Sequence, residues 1–361
     1  MQVVVIGAGA VGLASALTLA RDGHAVTVLD PHPTRGASWA AAGMLAPVSE
    51  SSFGEAELTA LAVSAVGEFE RFAAGLGVPV GVRTEGTLVV AFNADDRAEL
   101  DRLSAYRDEL GLPTRRLTGR EARRYEPYLA GDVRAAVFAQ DDLSVDNRRY
   151  LQAMLDAAVG AGVTLVREPA AALGEQVVLG RSGAEYPADV TVICTGAAAG
   201  ELTGLPVVPV KGQILRLAVP TRLGTVLTRT VRGLVRGREV YLVPRADGEL
   251  VVGATVEQQG FDTTVTAGGV FELLRTAYEL LPISSECEFV EARAGSRPGT
   301  PDNGPLLGWL RPGVLVAAGH YRNGILLSAA TASAVAALVA GTEPAPQWQP
   351  FQLARFDHDE G

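Results

Sequence analysis

The residues whose types and spacing could do chemistry are concentrated in the first thirty positions. Gly7, Gly9 and Gly12 form a G-x-G-x-x-G pattern. Such a turn lets backbone amides at a helix N-terminus approach a pyrophosphate, and the third glycine permits close packing of helix on strand. Asp30 follows about 20 residues later, where a carboxylate can accept hydrogen bonds from an adenosine ribose. The pattern predicts a dinucleotide site, with a tight turn that binds no ligand as the alternative.

The elements that must position this turn can be predicted from the same segment. Val3–Ile6 is a β-branched run typical of a buried strand, Leu13–Arg21 has helical spacing, and Ala25–Leu29 is a second apolar run. Strand, glycine turn, helix and strand make a Rossmann-like βαβ unit, in which the acidic residue belongs at the end of the second strand.

Later segments are expected to return to the same sheet. Val190–Ile193 reads as a buried strand that leads to Gly196, and the apolar strand that begins at Val314 leads into a charge-free helix over Ile325–Ala340. The positive end of that helix would favour an anionic ligand. The small residues of Gly36–Leu45 favour close contact between backbone and ligand, and an alanine-rich connector is the alternative.

Composition limits the function classes. The chain has 361 residues, 48% of them hydrophobic, which is typical of a folded protein of two or three units. A formal net charge of -10 disfavours nucleic acid and anionic membranes as partners. Cys194 and Cys287 indicate neither a disulfide framework nor a zinc site, and the four histidines are too scattered for a metal centre or a hydrolase triad. With no visible export signal, we expect a cytoplasmic protein that acts on a small molecule.

One segment is long enough to test for a membrane span. Asn323–Thr342 carries no charge, but most of its residues are Ala, Ser, Thr and Gly rather than the strongly apolar types that transfer into lipid. We expect a tightly packed helix here and no membrane span.

Five ordered segments resemble those of a known family. They are Val5–Gly12, Ser38–Leu45, Tyr241–Arg245 with Val251–Thr255, Arg297–Asp302, and Gly319–Leu327. Together they resemble the FAD-dependent D-amino acid oxidase superfamily, and most closely the glycine oxidases of thiamine (thiazole) biosynthesis. The resemblance covers nearly the whole chain, and five matches in order are far more specific than the glycine pattern alone.

The resemblance implies an α/β (α+β) fold of two domains. A Rossmann-like FAD-binding domain would be discontinuous over 1–79, 138–207 and 298–361, and a mixed-sheet substrate domain would comprise 80–137 and 208–297. Local patterns agree, with Asp247-Gly248 as a hairpin signal. The predicted strands are Thr87–Phe92, Gln213–Ala218, Val240–Val243 and Glu249–Gly253, and the predicted helices are Ala56–Leu76, Ala94–Leu110 and Leu151–Gly160.

The resemblance also implies roles for residues. Arg297 would bind the substrate carboxylate as a planar, permanently charged fork, and the Tyr241 hydroxyl would donate to the same group. A surface arginine and a half-buried strand tyrosine are the alternatives, and Arg245, Arg293 and Arg322 are the other candidate anchors. FAD contacts are implied for Gly7, Gly9, Ala10, Val11, Gly12, Asp30, Ser38, Ala41, Ala42, Gly43, Met44, Gly196, His320, Arg322, Asn323, Gly324, Ile325 and Leu326.

The reaction implied is oxidation of an amino acid to its imino acid, with O2 reduced to H2O2, and the product of glycine would supply thiazole synthesis. His320 is assigned proximity to the flavin and no proton transfer. Glycine, sarcosine and small D-amino acids remain open as substrates, and Glu239 and Val256 depart from the family's usual pocket residues. Related enzymes are often homo-oligomers, whereas the sequence leaves the oligomeric state open.

Three other functions remain open on the sequence. A D-amino acid or D-hydroxyproline dehydrogenase would pass its electrons to a non-oxygen acceptor, a nicotinamide oxidoreductase would be colourless when purified, and a flavin-binding structural protein would react with no amino acid.

Overall fold

The computed structural model describes residues 1–356. Residues 357–361, which include His358 and the end of the third predicted FAD-binding segment, lie outside the described residues. The strands are β1 (Gln2–Ile6), β2 (Ala25–Leu29), β3 (Met44–Leu45), β4 (Thr87–Ala91), β5 (Thr114–Thr118), β6 (Ala135–Ala139), β7 (Leu143–Ser144), β8 (Thr164–Val166), β9 (Ala170–Leu173), β10 (Val177–Gly180), β11 (Glu185–Pro187), β12 (Val190–Ile193), β13 (Val208–Ala218), β14 (Thr230–Val235), β15 (Arg238–Pro244), β16 (Glu249–Gly253), β17 (Glu288–Gly299), β18 (Leu306–Arg311) and β19 (Val314–Ala318). The α-helices are α1 (Ala10–Arg21), α2 (Ala37–Ala40), α3 (Ala56–Ala74), α4 (Ala94–Glu109), α5 (Gly119–Tyr125), α6 (Asn147–Gly160), α7 (Ala199–Thr203), α8 (Ala267–Leu280) and α9 (Ser328–Val339).

A six-stranded sheet carries the predicted βαβ unit. Its order is β18-β19-β12-β1-β2-β8, and every pairing is parallel except that of β18 with β19. Val3–Ile6 of β1 is almost completely buried because the sheet is covered on both faces, which explains the unbroken β-branched run. The strands predicted at Val190 and Val314 both join this sheet, and β12 lies between β1 and β19 as the returning strand.

The second large sheet has eight strands. Its order is β17-β13-β16-β15-β14-β4-β6-β5, and its pairings are antiparallel except that β14 runs parallel to β4. Leu273 and Leu280 of α8 pack against Leu242 and Leu217 from the sheet in one apolar cluster. The Asp247-Gly248 signal is confirmed as the turn between β15 and β16, where Gly248 has a φ of +89°. The predicted mixed α/β architecture is confirmed.

The uncharged segment forms a shorter helix than predicted. Helix α9 begins at Ser328, three residues after the predicted start, because residues 321–327 form successive turns in which the Leu327 amide bonds to the Asn323 carbonyl at 2.8 Å. Its small side chains allow close packing on α1. Across residues 1–356, no helix combines the length and apolar composition needed to cross a membrane.

Other boundaries differ by a few residues. The helix predicted from Leu151 begins at Asn147, because the Asp146 carboxylate caps the amides of Arg148 and Arg149. Helix α1 begins at Ala10 rather than Leu13. The strand predicted from Gln213 begins at residue 208, since β17 pairs with its whole length.

Candidate active site

A cavity of about 540 Å³ receives residues from both large sheets. Fifteen of the predicted FAD contacts line it, together with both predicted substrate contacts and both residues that depart from the family pattern. They are Gly7, Gly9, Ala10, Val11, Asp30, Ser38, Ala41, Ala42, Gly43, Met44, Gly196, His320, Arg322, Gly324, Ile325, Tyr241, Arg297, Glu239 and Val256. The fold therefore brings residues from distant parts of the chain to one site.

Three predicted FAD contacts lie outside the cavity lining. A Cβ at Gly12 would overlap the carbonyl oxygen of Gly7, so this glycine is required for packing inside the protein. Leu326 is 1% exposed and belongs to the core around α1 and α9. Asn323 uses its backbone to bond with His320 and Leu327 in the turn before α9. The structure shows packing and turn formation at these residues, and their contact with FAD stays a prediction.

The glycine turn is open where a ligand would approach. Gly7 has a φ of +105°, and Gly9 is the N-cap of α1 with extended backbone. A Cβ at Gly9 would meet only Ser38 Oγ, at 3.7 Å. The Asp30 carboxylate accepts hydrogen bonds from the amides of Ala8 and His32, each at 2.7 Å, and these bonds hold it beside the turn. The Ala10 amide donates to Ser38 Oγ at 3.3 Å, and the amides that follow it in the first turn of α1 can bind an anion.

Unpartnered hydroxyl groups fit a polar ligand such as FAD. Thr195 Oγ1, Ser296 Oγ and Ser49 Oγ are buried with no hydrogen-bond partner among the described residues, and all three residues line the cavity. Buried hydroxyls without partners are costly, so a ligand that supplies donors and acceptors would stabilise them. Bound FAD would supply such groups, and the residues present fit it.

His320 is held as a neutral group. Its Nε2 lies 2.9 Å from Thr331 Oγ1 of α9, and burial lowers the pKa of the imidazole to about 4. At neutral pH the side chain carries no charge, and one ring nitrogen is already engaged. This environment is consistent with the expected role of proximity without proton transfer.

Two glycines make room for the predicted substrate contacts. A Cβ at Gly253 would occupy the position of the Tyr241 ring on the adjacent strand β15. A Cβ at Gly212 would lie 2.5 Å from Arg297 Nη2, so the guanidinium of β17 lies over the bare backbone of β13. Sequence reasoning missed both glycines. The strand pairing explains them, because close approach of a large side chain to a neighbouring backbone requires glycine there.

Tyr241 and Arg297 form a donor pair. Burial raises the pKa of the Tyr241 hydroxyl, and the nearby Arg297 guanidinium acts against that rise. The phenol therefore keeps its proton at neutral pH and can donate it in a hydrogen bond. Arg297 Nη1 donates to the Thr255 carbonyl at 3.3 Å, so part of the guanidinium remains available to a carboxylate.

The other candidate anchors differ in position. Arg245 is buried behind the cavity lining, where it donates to the Ala42 carbonyl and to Asn147 Oδ1. Arg293 is exposed and pairs with Glu291 at 2.9 Å. Arg322 does line the cavity, and although burial opposes its charge, Tyr321 and Glu50 raise its pKa.

Three charged residues of the cavity, Arg232, Glu50 and Arg107, were missed by the sequence analysis. Arg232 on β14 pairs in register with Tyr241, and its Nη1 lies 3.0 Å from Glu50 Oε1. Arg107 of α4 is 2% exposed and also lines the cavity. Glu239 sits at the rim with its side chain 69% exposed, 3.9 Å from Arg232. The one feature that could have identified any of them is the pairing of the Tyr241 strand with β14, and that pairing identifies only Arg232.

The fold and this site define a class of flavoenzyme. The model of the FAD dependent oxidoreductase family (DAO) matches residues 2–338, and the chain belongs to that family. The predicted resemblance is therefore confirmed, and FAD is the cofactor of the family.

Among individual proteins, the glycine oxidase of Geobacillus kaustophilus is 34% identical, over 98% of this chain and 97% of its own. Its crystal structure superposes with a TM-score of 0.91 at 33% identity and covers 98% of each chain. The bifunctional protein ThiO/ThiG of Synechocystis is 35% identical over 98% of this chain, which spans about half (54%) of that relative's length. The crystal structure of iminodiacetate oxidase from Chelativorans is 28% identical with a TM-score of 0.86, and the match covers 97% of this chain and 98% of that one.

Proposed function

We propose that this protein is an FAD-dependent oxidase that converts glycine, or a closely related small amino acid, to its imino acid and reduces O2 to H2O2. The observation that carries the proposal is the position of Tyr241 and Arg297 in the same cavity as the glycine turn of α1. The glycine oxidase name of the G. kaustophilus relative supports the substrate. The ThiO/ThiG relative supports a further step, in which the glycine imine supplies thiazole synthesis.

The residues of the chain would bind and orient the reactants. Bound FAD would accept two electrons and a proton, as a hydride, from the substrate α-carbon and pass the electrons to O2. Arg297 would hold the substrate carboxylate and Tyr241 would donate to it, which fixes the α-carbon relative to the rest of the cavity. The amides at the N-terminus of α1 would bind the pyrophosphate, and Asp30 the ribose.

We also propose the two-domain organisation that the sequence predicts. The FAD-binding domain would comprise 1–79, 138–207 and 298–361, and the substrate domain 80–137 and 208–297. The protein would work in the cytoplasm. A homo-oligomer is part of the proposal, since Phe271, Leu274 and Tyr278 lie exposed on one face of α8. Light scattering coupled to gel filtration would measure the mass of the assembly.

Anaerobic flavin bleaching tests the proposed activity. The purified protein should be yellow, with bands near ~370 and ~450 nm, and the ~450 nm band should bleach on addition of glycine or sarcosine. Under air, each turnover should yield one H2O2. The same bleaching assay would also be run with D-alanine, D-proline, L-alanine, L-proline and iminodiacetate. Bleaching without peroxide under air would favour the dehydrogenase, and a flavin that no amino acid bleaches would refute the proposal.

A further inference from the structure

The cavity that contains Tyr241 is lined by more arginines than a single substrate carboxylate requires. Arg297, Arg322, Arg232 and Arg107 all line the cavity. Glu50 and the exposed Glu239 also line the cavity, and the buried Asp142 lies close enough to Arg107 to favour its charge. Arg297 would engage the single carboxylate of an amino acid, which leaves the other three arginines without a substrate group.

Within residues 1–356, Arg107 forms no salt bridge and keeps one N–H group without a partner. Its Nε donates to Ser51 Oγ at 3.1 Å and its Nη2 to the Ser49 carbonyl at 2.7 Å, while its Nη1 is buried and has no hydrogen-bond partner among residues 1–356. The neighbouring Asp142 accepts from the amides of Val48 and Ser49 instead. Burial and the nearby Arg232 lower the pKa of Arg107 to about 10, so it remains charged at neutral pH.

Arg232 also has an N–H group that lacks a satisfactory hydrogen bond. Its Nη1 is 3.0 Å from Glu50 but forms no geometrically satisfactory hydrogen bond within the described part of the chain. Glu50 also raises the pKa values of Tyr241 and Arg322, so its charge is shared among several partners. Two like charges that repel each other and have unused N–H groups are well suited to an anion, because a carboxylate offers acceptors to both.

We propose that Arg107 and Arg232 bind a second carboxylate of the substrate, so that the cavity favours small amino acids that carry two carboxylates. The inference rests on the proposed function, since it assigns the first carboxylate to Arg297. The second carboxylate would be attached either through the amine nitrogen, as in iminodiacetate, or through the α-carbon, as in D-aspartate.

Binding of unreactive acids tests this without turnover. The FAD-loaded protein would be titrated with butyrate and glutarate, which differ by one carboxylate at similar chain length, and then with propionate and succinate. The change in flavin absorption gives each Kd. For at least one pair we expect the dicarboxylate to bind ~10–100-fold more tightly, as for one or two charged hydrogen bonds. Equal affinities in both pairs would overturn the inference.

Substitutions locate the second site. In Arg232→Met and Arg107→Met the preference for the dicarboxylate should fall toward one, whereas Arg120→Met, which removes an exposed arginine outside the cavity, should keep it. Arg107 also supports Ser49 and Ser51, so Arg107→Lys replaces Arg107→Met if the latter fails to load FAD, and the same loss is expected because the planar fork is absent. A preference that survives in Arg232→Met and in the Arg107 variant would overturn the assignment.

Turnover measurements show whether the second carboxylate is attached through the amine nitrogen or through the α-carbon. They also test the oxidase activity and the second carboxylate site separately. Iminodiacetate is compared with sarcosine, and D-aspartate with D-alanine, by kcat/KM. We expect one of the dicarboxylic substrates to exceed its partner by ~10-fold or more. If glycine bleaches the flavin but neither dicarboxylic substrate exceeds its partner, the second site is refuted while the oxidase stands. If no amine bleaches the flavin, the oxidase is refuted, and the acid titrations still report on the site.

Discussion

Replacement of Gly9 by valine should abolish FAD binding and leave the fold intact. Gly9 is the N-cap of α1, with φ of -81° and ψ of -171°, a conformation that valine adopts readily. A Cβ there would meet only Ser38 Oγ, at 3.7 Å, so the protein itself has room for it. The space that the side chain would fill is the one that a pyrophosphate needs to reach the helix amides.

Gly9→Val should have a small effect on the free energy of unfolding and a large effect on FAD affinity. A poor N-cap residue in place of glycine costs about 1 kcal/mol of stability. A pyrophosphate kept away from the turn loses one or two charged hydrogen bonds of ~1.5–3 kcal/mol each, and the overlap adds to that loss. We therefore expect FAD affinity to fall by at least ~100-fold.

Two matched variants act as controls. In Gly12→Val the Cβ would overlap the Gly7 carbonyl, so this variant should misfold rather than simply lose flavin. Gly160→Val, at the end of α6, places a Cβ where no atom lies within 4 Å, and it should keep both fold and flavin.

The assay combines flavin absorbance per protein with thermal melting of the FAD-free forms. Gly9→Val should purify colourless and melt within a few degrees of FAD-free wild type. Stoichiometric flavin in Gly9→Val would refute the assignment of this turn to the pyrophosphate. An unfolded Gly9→Val protein would refute the claim that the turn has room for a side chain.

Four further outcomes are expected. Arg297→Ala should lower kcat/KM for glycine by ~10²–10⁴ with FAD still bound, Arg297→Lys should restore little, and near-normal steady-state turnover would contradict the anchor. Tyr241→Phe should lose only ~0.5–3 kcal/mol of transition-state stabilisation, as calculated from kcat/KM. Gly253→Ala should lose more, because its Cβ displaces the whole Tyr241 ring. Asp30→Ala should weaken FAD binding by ~10–100-fold in a flavin titration without abolishing it. Anaerobic flavin reduction by glycine should speed up as pH rises, because the ammonium must lose its proton, and His320→Asn should show the same rise from pH 6 to 9, since the pKa of His320 is about 4 and it stays neutral throughout. A profile that becomes flat in His320→Asn would identify a histidine base.

Local patterns made the βαβ unit predictable. The β-branched run of β1, the turn glycines and the acidic residue after β2 lie within thirty residues, and each is required by backbone geometry that neighbours in sequence create. The start of α9 was less predictable. Apolar composition continues through residues 325–327, but those residues form turns whose hydrogen bonds do not appear in composition.

By itself, the sequence of this protein determined the βαβ unit, the FAD dependence implied by its motifs, and Arg297 and Tyr241 as candidate substrate contacts. Only the tertiary structure decided that Arg232, Glu50 and Arg107 join them. These residues belong to a strand, a loop and a helix whose proximity depends on long-range pairing, such as the register that sets Arg232 opposite Tyr241. The charge around a substrate is a sum over side chains from distant segments, and no periodicity within any one segment encodes that sum.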